Sequence, residues 1–220
     1  MFSYVYMKIL ESQPRRYDRG VRWLSLGQSA TVQRRIVDTL ITRGTRLCDI
    51  GCGTGALAVL AARKGARVVG IDHAPHMLAV ARTNVARAGL EDRVTLYEAG
   101  VAKIHRLSAA SFDVVTATLV FSELSPDEQS FTLTGADRLL APNGRLVIAD
   151  EIKPPGFCKR AIYVVARIPL VAITFALTQT TTWPVVGIER RVSQAGFRIQ
   201  EADRSRLESF LYLVAVKEGT

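Results

Sequence analysis

The stretch that most constrains this chain is Asp49-Ile50-Gly51-Cys52-Gly53-Thr54-Gly55. It follows a short β-rich run, Arg46 to Ile50, and leads into an Ala- and Leu-rich helical pattern, Gly55 to Lys64, that stops at Gly65. Glycines at alternate positions let the backbone turn tightly and let a ligand approach the main chain. The N–H groups at the start of the next helix favour an anionic group such as a carboxylate or phosphate. A second β-rich run, Arg67 to Ile71, leads into Asp72, where a carboxylate can accept hydrogen bonds from both hydroxyls of a ribose.

The alternation continues. Pro75 to Ala88 reads as a helix with proline in its first turn, and Gly89 ends it. Val94 to Glu98 and Phe112 to Thr118 read as the third and fourth strands. Ser125-Pro126-Asp127-Glu128 opens a helix as a capping box. Pro142-Asn143-Gly144 reads as a turn and Arg145 to Asp150 as a fifth strand. Short strands separated by helices imply βαβ crossovers and a parallel sheet covered on both faces. Phe197 to Ala202 and Phe210 to Lys217 differ. Their polar connection is too short for a crossover helix, so they pair antiparallel. The class is α/β.

The chain has 220 residues and a formal net charge of +9. A chain of this length suits a single domain. Three cysteines do not make a disulfide scaffold, and they suit a reducing cytoplasm. The charge is unevenly placed. Residues 1–46 hold nine Lys/Arg against three Asp/Glu, residues 47–152 ten against twelve, residues 153–206 nine against three, and residues 207–220 one against two. Two basic flanks therefore surround a nearly neutral middle. A nucleic-acid reader motif is lacking, so nucleic acid is not an expected partner. The N-terminus does not read as a signal peptide. Ala161 to Leu177 contains Arg167 and Pro169, and its apolar stretch is shorter than the roughly 20 residues a spanning helix needs.

Gly51, Gly53 and Ala56 also fit a dinucleotide fingerprint. Asp49 argues otherwise. Two residues before the first glycine, it would face a pyrophosphate badly and an ammonium group well. A nucleoside bearing an amino acid offers a carboxylate for the helix start, an ammonium for Asp49 and a ribose for Asp72. S-adenosylmethionine has all three.

From Arg46 to Lys217 the chain resembles the class I S-adenosylmethionine-dependent methyltransferases. The resemblance rests on Asp49 to Gly55, on Asp72 with His73 and Met77 in Asp72-His73-Ala74-Pro75-His76-Met77-Leu78, on Phe112-Asp113-Val114-Val115, and on Leu140-Ala141-Pro142-Asn143-Gly144-Arg145-Leu146. It implies a Rossmann-like, seven-stranded, mostly parallel sheet with an antiparallel last strand. It also implies S-adenosylmethionine as cofactor, contacted by Tyr17, Asp49, Gly51, Cys52, Gly53, Asp72, His73, Met77, Gly100, Val101 and Thr118. Val101 stands where many members carry an acid, which shifts adenine recognition to backbone groups. Tyr17-Asp18 and Leu24-Ser25-Leu26-Gly27 resemble the ubiquinone/menaquinone C-methyltransferase group. Tyr6 to Gly20 and Leu177 to Thr182 resemble corrinoid-protein-associated methyltransferases.

Methyl transfer from a sulfonium is an in-line displacement, for which the protein mainly supplies alignment and water exclusion. The acceptor is expected at the carboxyl ends of the strands, facing Phe121, Ser122 and Glu123. Glu123 reads as a base or as a solvated helix-start carboxylate. His73 and His76 lie close together but lack further ligands, so no metal is expected. His105 reads as an exposed loop residue, Cys48 as buried strand packing and Cys158 as packing in the tail segment.

The expected organisation is one domain, 1–220. Residues 1–45 form a helical flank, 46–152 the cofactor half, 153–195 a lid over the acceptor and 196–220 the antiparallel pair. Phe157 to Leu177 has three readings: a lid helix, an element lying on anionic lipid, and a docking surface for an acidic partner. The expected function is methyl transfer to a small hydrophobic or anionic acceptor. The alternative is a cofactor-binding accessory protein on a corrinoid protein or membrane complex. A cytoplasmic location follows, with contact at a membrane surface on the second reading of the tail.

Overall fold

The computed structural model describes residues 28–153, 184–205 and 208–217. A seven-stranded sheet runs through the molecule in the order β3-β2-β1-β4-β5-β7-β6. Its strands are β1 (Arg46–Ile50), β2 (Arg67–Asp72), β3 (Val94–Glu98), β4 (Phe112–Thr118), β5 (Leu140–Glu151), β6 (Phe197–Arg204) and β7 (Phe210–Lys217). The first five pair in parallel. β7 runs antiparallel to both β5 and β6.

The described α-helices are α1 (Gln28–Leu40), α2 (Ala56–Arg63), α3 (Pro75–Arg87), α4 (Pro126–Leu139) and α5 (Ile188–Gln194). Alternation along the strands sends side chains to opposite faces. Leu47, Val114, Val147, Ala149 and Tyr212 pack with Ile36 of α1, Leu57 and Ala58 of α2 and Val85 of α3. Cys48, Ile50, Val115, Ala117, Ile148 and Leu213 pack with Leu133 and Ala136 of α4 and Ile188 and Val192 of α5. Both faces are covered, as parallel strands apolar on both sides require. Arg35 of α1 lies 4.2 Å over the Tyr212 ring and bonds Glu201 at 2.6 Å and Asp203, tying α1 across β7 to β6.

β1 has β2 on one side and β4 on the other, so the strand order reverses between β1 and β4. Ligands of open α/β sheets bind outside the carboxyl ends at such a switch point. The glycine loop leaves β1 there. The chain also departs from Ile152 and returns at Val185 at the carboxyl end of β5, where Ile152 and Val185 form a parallel bridge and Val185 N–H donates to Glu151 O at 2.9 Å.

Two boundaries differ by two residues or more from the sequence reading. β5 begins at Leu140, not Arg145, and the Pro-Asn-Gly turn lies within it as an irregularity. Leu140 pairs with Phe112, pairing resumes at Arg145 with Val114, and Asn143 between them has φ of 62°. The strand tolerates an excursion because its ladder closes on both sides. β6 extends to Arg204 because each added residue finds a partner on β7.

The capping box at α4 is formed. Ser125 Oγ accepts Glu128 N–H at 3.3 Å, and Glu128 Oε2 accepts Ser125 N–H at 2.9 Å. The Ser125 N–H and hydroxyl, both donating to Glu128 Oε2, hold the Glu128 carboxyl below the usual range. Ser125→Ala is expected to cost about 1 kcal/mol, read as a lower denaturant midpoint with unchanged slope.

Candidate functional site

The glycine loop is built by backbone that only glycine adopts easily. Gly51, Gly53 and Gly55 have φ of 68°, 53° and 73°. The N–H groups of Gly51 and Cys52 both donate to Ile71 O, at 2.8 and 3.0 Å, and fasten the loop to β2. Asn84 of α3 donates to Thr54 O at 3.0 Å. α2 then starts with Gly55 at its cap and no side-chain capping bond, so its first N–H groups face the loop without a side chain on them.

Asp72 stands at the end of β2. Its Oδ2 accepts Gly53 N–H at 2.8 Å and its Oδ1 accepts Ala74 N–H at 2.9 Å. One carboxylate thus sets both the glycine loop and the entry to α3. Two bonds leave lone pairs on each oxygen for ribose hydroxyls. Asp72→Asn would place an amide NH₂ against one of these two N–H donors. Donor affinity is expected to fall by about 10- to 100-fold, measured by calorimetric titration with S-adenosylhomocysteine.

Asp49 lies beside the loop, 3% exposed. Its Oδ1 accepts the Thr116 hydroxyl at 2.7 Å. Burial is the main cause that pushes its pKa up to about 7; the Thr116 bond opposes this and the Asp72 charge adds to it. A cation beside Asp49 would offset that burial cost. Thr118, two residues past Thr116 on the same side of β4, has a buried hydroxyl with no hydrogen-bond partner among the described residues. A left-handed glycine cradle, a ribose-ready carboxylate, a buried carboxylate suited to a cation and an unsatisfied hydroxyl together fit S-adenosylmethionine.

The chain turns sharply after β4. Leu119 has φ of 59° and donates its N–H to Ala149 O at 2.8 Å. This swings Val120 onto the glycine loop, where a Cβ at Gly51 would overlap Val120 Cγ2. Ser122 N–H reaches Asp150 Oδ2 at 3.2 Å. Gln129 of α4, buried, donates to Phe121 O at 2.8 Å and Leu124 O at 3.1 Å, and Arg191 of α5 donates to its Oε1. The turn after β4 and the glycine loop are thus seated on each other.

Several expected site residues take different places from those the sequence suggested. Phe121 is fully buried in the core, so it supports the turn from below and does not line the acceptor side. Ser122 is half-buried and Glu123 exposed above it. Cys52 spends its N–H on Ile71, its carbonyl accepts Gly55 N–H at 2.9 Å, and its Sγ would lie 2.9 Å from a Cβ at Gly70. It braces the loop from within. Burial pushes the Cys48 and Cys52 thiols up, against any thiolate role. Met77 is buried beneath Gly53. The His73 ring is exposed, with Nδ1 3.8 Å from Asp72 Oδ1. Gly100 and Val101 follow β3, and Ala99 N–H donates to Asp72 O at 2.8 Å, which brings that stretch beside Asp72. Tyr17, Cys158 and the 157–177 segment lie outside the described residues. Among the described residues no cluster of His, Cys, Asp or Glu could hold a metal.

Asp150, Leu119, Gln129 and Arg191 were not singled out from sequence. Asp150 has the same signal that marked Asp72, a carboxylate ending an apolar strand. The other three show their role only through contacts made in the folded chain.

Fold and site together define a doubly wound α/β protein whose glycine loop and carboxylates at the carboxyl ends of β1 and β2 suit a nucleoside-bearing cation. A family model described as a methyltransferase domain matches residues 41–164. The chain belongs to that family, the class I S-adenosylmethionine-dependent methyltransferases. It is 38% identical over 143 residues to the demethylmenaquinone methyltransferase of Thermus thermophilus, covering 64% of this chain and 63% of that protein. An uncharacterized methyltransferase of Synechocystis is 27% identical over 176 residues, covering 79% and 76%. In structure, the chain is similar to the magnesium protoporphyrin IX methyltransferase of Synechocystis with bound SAH, with a TM-score of 0.62, 22% identity and coverage of 86% and 81%.

Proposed function

We propose that the protein methylates a small, ring-bearing hydrophobic acceptor of the quinol kind, at ring carbon or ring oxygen. The observation that carries this reading is the seating of Val120 on Gly51. It sets the turn that bears Ser122 and Glu123 against the loop that would hold the donor. The similarity to a demethylmenaquinone methyltransferase supports a quinol. A quinol is hydrophobic and becomes anionic on losing a phenolic proton, so it meets both expectations drawn from the sequence. The relatives are named as methyltransferases, which favours turnover over an accessory role.

When bound, S-adenosylmethionine supplies an electrophilic methyl group on a sulfonium. The glycine loop and the start of α2 would hold the carboxylate end, Asp49 the ammonium and Asp72 the ribose. Leu119–Glu123 and the flanks would orient the acceptor in line and exclude water, which is the main requirement for an already activated donor. On this reading the basic flanks, 1–46 and 153–206, meet the anionic acceptor or the lipid surface that carries it. No helix among the described residues is long and apolar enough to cross a membrane.

The test is transfer of labelled methyl from S-adenosylmethionine to a demethylated naphthoquinol with a short isoprenoid tail, beside calorimetric titrations with S-adenosylhomocysteine and with NAD. Transfer to the quinol and selective binding of the nucleoside thioether are expected. Binding of NAD without S-adenosylhomocysteine, or transfer to cobalamin and not to the quinol, would defeat the reading. Sedimentation with anionic vesicles checks the lipid contact.

A further inference from the structure

The turn after β4 carries backbone strain and is held against it from several directions. Leu119, a residue with a full side chain, sits at φ of 59°, a conformation that persists only where the surroundings over-determine it. Ala149 O takes the Leu119 N–H, Gln129 takes no part in the strain itself but binds the carbonyls of Phe121 and Leu124, and Asp150 takes the Ser122 N–H. Asp150 is the buried ionisable member of this set, 2% exposed. Its oxygens divide the work. Oδ1 accepts Glu151 N–H at 2.7 Å and anchors the carboxylate to its own strand, while Oδ2 accepts Ser122 N–H at 3.2 Å. Burying a carboxylate is costly, and an ionised one is retained where its acceptor capacity is used.

We propose that Asp150 is the positioning residue of the acceptor side, its carboxylate holding Ser122, and with it the Leu119–Glu123 turn, in the conformation seated on Gly51. The proposal rests on the reading of that turn as the acceptor side. Its consequence is a turn whose geometry depends on one proton. The ionised carboxylate accepts both N–H groups. A protonated one keeps a full acceptor on its carbonyl oxygen only, and the N–H group at the other oxygen faces a weaker hydroxyl acceptor. Burial, against the opposing bonds from Ser122 and Glu151, pushes Asp150 up to about 6. The turn is therefore held above pH 6 and loosened below it. The charged group that acts on Asp150 is Glu151 on the same strand, which raises it further. Its partner on β7, Leu211, is apolar. The turn itself carries Glu123. From α4 the neighbouring side chain is neutral Gln129, and Arg191 of α5 is engaged with Gln129.

The test uses the full chain, labelled with ¹⁵N and saturated with S-adenosylhomocysteine. The Ser122 amide is expected to titrate with a midpoint near pH 6, and to lose that titration in Asp150→Asn. The Ser122 side chain also hydrogen-bonds the Asp150 carboxylate and lowers its pKa, so in Ser122→Ala the amide at that position should titrate with a higher midpoint. With the short-tailed demethylated naphthoquinol as probe, Asp150→Asn should raise the acceptor KM about tenfold, leave the S-adenosylmethionine KM unchanged and remove the acid limb of the rate profile. A Ser122 amide indifferent to pH between about 4 and 8 would overturn the proposal. So would an Asp150→Asn protein that is less stable but keeps its acceptor KM and its acid limb. If Asp150→Asn fails to fold, Ser122→Ala carries the test. If the unsubstituted protein does not methylate the quinol, the acceptor assignment fails and the amide titration still decides the role of Asp150.

Discussion

Asp49→Asn should make the ligand-free protein more stable and at the same time cripple donor binding. Asparagine keeps an oxygen in place to accept the Thr116 hydroxyl, 2.7 Å away in the structure, while removing a charge from a buried position. Asp49 is raised from 3.8 to about 7, chiefly by burial. A carboxyl raised on folding binds its proton more tightly in the native state than in the unfolded chain. The penalty for ionising it is absent below pH 3.8, grows as pH rises and is complete above about pH 7. The substitution removes a penalty on the order of 4 kcal/mol at pH 8 and very little at pH 4. Thermal midpoints of the two proteins should therefore converge in acid and separate with increasing pH. Asp150, raised to about 6, adds a slope of the same sign that both proteins keep.

Donor binding moves the other way. An ammonium beside Asp49 favours the ionised carboxylate, so binding expels its proton. Affinity for S-adenosylhomocysteine should fall by about tenfold per unit as pH drops below 7, a slope that Asp49→Asn lacks. Loss of the buried charge partner should weaken binding by about 100-fold or more at pH 8. Calorimetric titration across pH reads both effects. A pH-independent affinity, or an unstabilised variant, would show that Asp49 does not carry the cation.

Gly51→Val has the second large effect. Gly51 lies at φ of 68°, which costs an ordinary residue about 1–2 kcal/mol, and a β-branched one more. Its new Cβ would overlap Val120 Cγ2, and the added methyls press on the turn behind it, a further cost of about 1–3 kcal/mol. Destabilisation of about 3–4 kcal/mol lowers the melting temperature by roughly 10 °C in a chain of this size. Donor binding and methyl transfer should fail together, because the substitution moves both the glycine loop and the turn after β4 proposed to face the acceptor. Gly100→Ala is the control. A Cβ there meets open space, so stability should change by no more than about 0.5 kcal/mol.

The parts of the fold legible in the sequence are those written in local chemistry. β1 and β3 have the predicted limits because each is a β-rich run followed within two residues by a glycine, and β4 has them because its β-rich run begins after the polar Ser111 and ends at Thr118. The Ser125–Glu128 capping box needs only residues three apart. The antiparallel finish followed from a connection too short for a crossover. β5 starts earlier than the sequence suggests because Pro142 and Gly144 read locally as a break, while pairing on either side holds the strand through it. The sequence puts Phe121 facing the acceptor because it follows the fourth strand at its carboxyl end. The turn at Leu119, which no residue type announces, sends it into the core.

The sequence by itself determined the class of ligand. Gly51, Gly53 and Gly55 permit one backbone path, and Asp49 and Asp72 supply charge at fixed distances from it along the chain. Tertiary structure decided how the turn after β4 is held. Asp150 and Ser122 lie 28 residues apart, Gln129 and Arg191 62, and Val120 meets Gly51 across two strands. Hydrogen bonding and close packing act over a few ångströms of space, whatever the separation along the chain, so these partners exist only once the sheet has brought β1, β4 and β5 side by side.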